Sequence, residues 1–222
     1  MGQAPKIRRG AQLLKSILKR DAAAALDILT LGPVDLTLAD RNGMSALCNA
    51  AQKGMTTVVT ALLDAGANIN YQNFDKSIGL TPLMRACFDG EREVVDQLLA
   101  KGANANLKDA DGRSPLHMAS HFDGLCGKPR IVPKLLKVEG IDVNAANNEG
   151  LTVLMANFGV PENINLLLAA GADMEAKDNE GRTAYERVKG TLLNGAAARV
   201  YEGIYETFNR IAREAPSEEV GT

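Results

Sequence analysis

The stretch Gly79-Leu80-Thr81-Pro82-Leu83-Met84-Arg85-Ala86-Cys87, followed by Leu98-Leu99 and then by Gly102-Ala103-Asn104-Ala105-Asn106, decides the fold. A Thr directly ahead of a Pro reads as a helix start. The hydroxyl can accept an N–H of the first turn, and proline suits the first helical position because its missing N–H would be unpaired there anyway. The Leu and Ala that follow give the helix an apolar face. The Leu-Leu pair ends a second short helix, and Gly102 stops it because glycine accepts the left-handed backbone of a helix end. One such unit cannot bury its apolar face alone, whereas stacked neighbours can.

The same two linked motifs recur in the same order along the chain. The leading motif returns as Asp40-Arg41-Asn42-Gly43-Met44-Ser45-Ala46-Leu47, as Asp109-Ala110-Asp111-Gly112-Arg113-Ser114-Pro115-Leu116-His117, and as Asn147-Asn148-Glu149-Gly150-Leu151-Thr152-Val153-Leu154. Each is followed by its closing motif, ending at Gly66-Ala67-Asn68-Ile69-Asn70, Gly140-Ile141-Asp142-Val143-Asn144 and Gly171-Ala172-Asp173. A recurrence near 33 residues is the mark of a stacked-repeat architecture.

These residues resemble the ankyrin repeat, whose pattern is D-x-x-G-x-T-P-L-H-x-A-A followed by V-x-x-L-L-x-x-G-A-x-x-N. The resemblance runs over residues 12–190 and implies an all-α solenoid of stacked helix-turn-helix units with hairpin loops. The expected organisation is a basic N-terminal extension over 1–11 and a repeat domain over 12–190. Within that domain lie a degenerate N-terminal cap over 12–39, repeats over 40–72, 73–108, 109–146 and 147–177, and a partial repeat over 178–190. Two short helical patterns, Leu13–Lys19 and Ala22–Thr30, make up the cap. A capping helix is expected over 191–215, where Val200, Ile204, Phe208 and Ile211 share one face, and a disordered tail over 216–222.

The spacing of the leading glycines is uneven. Gly43, Gly79, Gly112, Gly150 and Gly181 are separated by 36, 33, 38 and 31 residues. Three irregularities result: an insertion in the hairpin around Phe74–Ile78, a second between two helices around Phe122–Arg130, and a deletion near Phe158–Pro161. Solenoids place such changes in loops, often on the binding side.

Composition fits small helices and tight turns. Hydrophobic residues make up 45% of the chain, aromatics only 4%, and Trp is absent. A formal net charge of -2 gives no footprint for nucleic acid. No apolar run approaches the roughly 20 residues of a membrane span. Lys15 interrupts the apolar stretch after Lys6, Arg8 and Arg9, so the N-terminus does not read as a signal peptide. Cys48, Cys87 and Cys126 are odd in number and form no CxxC pair, which favours reduced thiols and a cytoplasmic location. A periplasmic or secreted location is the alternative if a leader has been cleaved.

Chemistry is sparse. His117 and His121 stand four apart, as in some zinc sites, but no Glu follows the first and no third ligand is well spaced. His117 also occupies the T-P-L-H position, which the family uses for turn hydrogen bonds. Cys87 replaces a small core Ala and Cys48 a helix His, while Cys126 falls in the inserted loop. Asp40, Asp109 and Asp178 belong to the repeat and are expected to brace turns. The set Lys6, Arg8, Arg9, Lys15, Lys19 and Arg20 reads as a solvated helix face, with an acidic partner or anionic membrane surface as the sharper alternative. No nucleophile elbow, P-loop or dinucleotide fingerprint occurs. No catalysis, cofactor or metal is expected.

The resemblance implies a concave partner-binding surface built from hairpin tips and the exposed face of each first helix. Carried over by position, it comprises Arg41, Met44 and Gln52; Ser77, Ile78, Leu80, Phe88 and Asp89; Asp111, Arg113, His121 and Phe122; and Glu149, Leu151 and Phe158. Ile78, Phe88 and Phe122 stand out as apolar anchors, unless the two aromatics pack between repeats. The expected function is binding of another protein, most simply as a stoichiometric inhibitor or regulator, with the chain monomeric when free. An adaptor bridging two proteins and a secreted effector are the alternatives.

Overall fold

The computed structural model describes residues 3–72, 78–126, 130–156 and 161–187, together with Glu206, Asn209, Arg210 and Arg213. Its helices come in pairs. They are α1 (Gln3–Leu18) with α2 (Ala22–Thr30), α3 (Ala46–Gln52) with α4 (Thr56–Asp64), α5 (Pro82–Asp89) with α6 (Arg92–Ala100), α7 (Pro115–Cys126) with α8 (Val132–Leu135), and α9 (Val153–Ala156) with α10 (Pro161–Ala169). The first helices α1, α3, α5, α7 and α9 pack successively against one another. The second helices α2, α4 and α6 form a parallel row behind them. The fold is the all-α solenoid that the repeat implies.

The helix starts follow the Ser/Thr reading. Ser45 Oγ accepts the Cys48 N–H at 3.2 Å, and Thr81 Oγ accepts the Met84 N–H at 3.1 Å. Capping bonds of this kind contribute about 1 kcal/mol each. The core is equally periodic. Leu47, Leu83, Leu116 and Leu154 are buried in successive first helices, and Val59, Val95, Val132 and Ile164 in successive second helices.

One residue braces each of four hairpins. Oδ1 of Asp40 accepts from the N–H groups of Asn42 and Met44, at 2.8 and 3.0 Å. Asp109, Asn147 and Asp178 repeat this geometry on the residues two and four further along. The hairpins then hydrogen-bond to each other. The Ala110 N–H donates to Ile78 O at 2.9 Å, Asn148 N–H to Asp111 O at 2.9 Å, and Asn179 N–H to Glu149 O at 3.0 Å. This close approach is why Gly112 must be glycine. Its φ is 77°, and a Cβ there would stand 2.8 Å from the Asn148 nitrogen.

Two boundaries differ from the sequence reading. The basic segment 1–11 is not a separate extension, because α1 begins at Gln3. It is held against the following loop: Arg9 Nε and Nη2 donate to Pro33 O at 3.0 and 2.8 Å, and Gly10 lies so close that a Cβ would come within 2.5 Å of Asp35 O. The insertion around Phe122–Arg130 is also not wholly loop, since α7 runs on to Cys126. In the two preceding units Gly54 and Gly90, with φ of 66° and 79°, stop the first helix. The equivalent residue of the third unit is Asp123, whose Cβ makes the left-handed backbone costlier than for glycine, and the helix continues. The insertion's counterparts over 73–77 and 157–160, and most of the expected capping helix, lie outside the described residues.

Candidate partner-binding face

A cleft of about 450 Å³ opens on the inner face between the first and second full repeats. Three consecutive units line it. Leu18 comes from the end of α1; Asp40, Asn42, Met44, Asn49, Gln52 and Lys53 come from the first hairpin and α3; Ile78 and Arg85 come from the second hairpin and α5. Among the described residues Leu18, Ile78 and Phe88 are three of five large apolar side chains left exposed, at 46%, 41% and 41%; the other two are Ile7 and Leu31. Leu18 and Ile78 line the cleft, and Phe88 sits at the position in its repeat that Gln52 holds in the one before.

Beyond the cleft, the helix ends form two rows. Gln52, Phe88 and His121 occupy equivalent positions, and the rings of Phe88 and His121 stack with centroids 5.4 Å apart and planes 5° apart. Asp89 and Phe122 form the next row. Phe122 is half-buried and lies over Gly90, where a Cβ would run into its ring. Glu91 lies over Gly54 in the same manner. Burial raises the Asp89 carboxyl, opposed by Arg85 and by a Gln52 hydrogen bond. Burial likewise raises Glu91, with Arg20 opposing and Asp89 and Glu93 adding to the effect.

The expected contact residues therefore divide. Gln52 and Ile78 come together in the cleft, lined also by Met44, which is buried rather than at the surface as expected, with Phe88, Asp89 and His121 alongside. Arg41, Asp111 and Glu149 are exposed on hairpin tips, where Asp111 is paired with Arg113 at 2.8 Å. Leu80, expected at the surface, is buried as part of the core cluster, and its carbonyl oxygen accepts from the Cys48 thiol of α3. Leu151 is half-buried against the core, and its carbonyl oxygen receives His117. Phe122 packs between repeats rather than standing free. Ser77 and Phe158 lie outside the described residues. Leu18 and Arg85 were missed. Leu18 belongs to the degenerate cap, where the motif offers no register. Arg85 could have been found by aligning units, because Asn49, Met118 and Ala156 hold its position elsewhere.

The isolated chemistry resolves into structure. His117 Nδ1 lies 3.2 Å from the Ser114 N–H and Nε2 lies 3.0 Å from Leu151 O, so the neutral ring accepts through the first and donates through the second. Burial lowers its pKa, which suits that neutral form. Cys48 and Cys87 are buried, and burial raises both thiols. Among the described residues no group of three or more His, Cys, Asp or Glu side chains could hold a metal ion. No helix among them is long and apolar enough to cross a membrane.

Stacked helix pairs, a ladder of hairpin tips and an inner face of non-repeating side chains define a solenoid whose working surface is a binding surface. The chain belongs to the ankyrin-repeat family. The family described as "Ankyrin repeats (3 copies)" matches residues 12–109 and 73–126, and the single "Ankyrin repeat" matches 111–148. The chain is similar to Ankyrin repeat and SOCS box protein 6 of Homo sapiens, with 33% identity over 151 residues; these cover 64% of this chain but only 34% of that protein. It is 30% identical over 172 residues to the putative ankyrin repeat protein YahD of Escherichia coli (strain K12), covering 71% and 78% of the two chains. Among solved structures, the ankyrin repeat protein EF0377 superposes with a TM-score of 0.74 at 26% identity, over 90% of this chain and 97% of that one. Ankyrin repeats form protein–protein interaction modules, and the fold is a non-catalytic binding scaffold.

Proposed function

We propose that the chain acts without catalysis, by covering part of one partner protein with its inner face, as a stoichiometric inhibitor or regulator. The observation that carries this is the cleft between the first two full repeats, with Leu18 and Ile78 exposed in it and Phe88 exposed beside it. Clustered apolar side chains ringed by Asn42, Gln52 and Lys53 have the makeup of an interface centre with a polar rim. Occlusion needs one such site, and one is enough to support it. The relation to a human protein that joins ankyrin repeats to a SOCS box supports a second reading, in which this chain presents a bound protein to another.

The test is to isolate the complex from cells that produce the protein and to measure its stoichiometry. A one-to-one complex that is lost on combined Ile78→Ser and Phe88→Ala substitution, with helical content unchanged, supports occlusion. Two different proteins bound at once would favour the adaptor. A complex indifferent to both substitutions would refute use of the inner face.

A further inference from the structure

The cleft contains a charge without an answer. Arg85 lines it, yet among the described residues its guanidinium donates no hydrogen bond and closes no ion pair. Its Nε is out of contact with solvent and has no acceptor. The two Nη groups have no acceptor among the described residues either and are not buried, so they are the donors left open to an acceptor that arrives from outside.

The nearby carboxylates do not supply that acceptor. Asp40 spends Oδ1 on the N–H groups of Asn42 and Met44, and Oδ2 on Nδ2 of Asn49 at 3.0 Å. Asp89 lies one helical turn beyond Arg85 and acts on it only through space, while its own Oδ2 is also buried without a partner. Asp89 is the alternative counter-ion, and burial disfavours its charged form. Lys53 adds a second cation to the cleft wall. A planar guanidinium offering its two Nη groups side by side fits the two oxygens of a carboxylate. Leu18, Met44 and Ile78 complete the wall with aliphatic surface.

We infer that the cleft receives an acidic–aliphatic segment of the partner protein: an Asp or Glu side chain seated on Arg85, with a neighbouring Leu, Ile, Val or Met side chain against Leu18, Met44 and Ile78. The source is an internal acidic residue rather than a chain end. The cleft is open and is assembled from three consecutive units, so a chain crossing the inner face passes over it. This inference rests on the inner face being the binding surface.

The test pans a random twelve-residue peptide library displayed on phage against the full chain, and repeats the panning with Arg85→Met and with Ile78→Ser. Arg85→Met keeps the length and apolar stem of a side chain that makes no bond in the fold, and thermal unfolding monitors whether the variant folds as the parent does. The expected result is enrichment of peptides with Asp or Glu beside an aliphatic residue. Their affinity should fall at least about tenfold with Arg85→Met, and Arg85→Lys should recover only part of it because an ammonium cannot grip two oxygens. Peptides without acidic enrichment, or whose binding survives Arg85→Met, overturn the acidic–aliphatic assignment. If those same peptides are lost with Ile78→Ser, the inner face still stands as the binding surface. Recovery only of peptides indifferent to both substitutions overturns both readings.

Discussion

Gly90→Ala tests where Phe122 belongs, which the sequence alone left open between a partner anchor and an inter-repeat filler. Gly90 has a φ of 79°, and an added Cβ would fall inside the Phe122 ring. Two costs follow. A left-handed alanine costs about 1 kcal/mol through its Cβ. Expelling the ring forfeits its packing; a fully buried Phe contributes roughly 1.5–3 kcal/mol, so this half-buried one loses about 1 kcal/mol. Gly90→Ala should therefore destabilise the parent by about 2 kcal/mol. In a Phe122→Ala background only the backbone cost of about 1 kcal/mol remains. The assay is urea unfolding of the four proteins followed by far-UV circular dichroism, read as a double-mutant cycle. The expected coupling is about 1 kcal/mol. Equal costs in the two backgrounds, within about 0.3 kcal/mol, would show that the ring does not rest on Gly90 and would return Phe122 to the candidate contacts.

Asp123→Ala should lower stability by about 3 kcal/mol in the same assay, because it strips acceptors from the buried N–H groups of Ile131 and Val132, now bonded at 3.1 Å each; a loss below about 1 kcal/mol would mean that the insertion does not depend on this carboxylate. Burial alone would raise Asp178, but the N–H groups of Arg182 and Glu180 and the guanidinium groups of Arg187 and Arg182 bind its charged form and hold it well below the usual carboxylate range. A lowered folded value means that the stabilisation is complete above the unfolded pKa of about 3.9 and is lost as pH falls below it. The urea midpoints of the parent and Asp178→Asn should thus differ more at pH 6 than at pH 3, and a constant gap would contradict the assignment. Cys48 and Cys87 should resist iodoacetamide in the native protein and react after denaturation, since burial raises both thiols; peptide mass analysis showing native labelling at either position would refute their burial.

The repeat units were legible because they carry the same physical signals: Ser or Thr to cap, Leu for the core, Gly to stop and, in all but the unit led by Gly79, an Asp or Asn to brace the hairpin. Those signals fail where one residue departs from the pattern and the consequence is three-dimensional. Asp123 in place of a stopping glycine lengthens α7, and a linear count of inserted residues cannot show that they are helical. Leu80 is adjacent to the hairpin in sequence but points into the core. The degenerate cap conceals Leu18, whose exposure depends on how α1 docks beside α3. Arg85 was present in the motif, yet only the packing around it shows a guanidinium without an acceptor.

Site-specific photo-crosslinking separates an inner binding face from an outer one. A photoreactive residue is placed at Gln52 or Ile78 on the inner face, or at the exposed Glu93 on α6 in the outer row, and the protein is irradiated in cells that produce it. A discrete adduct with one protein is expected from positions 52 and 78 and none from position 93. The same adduct formed equally from position 93, or only from there, would contradict an inner binding face.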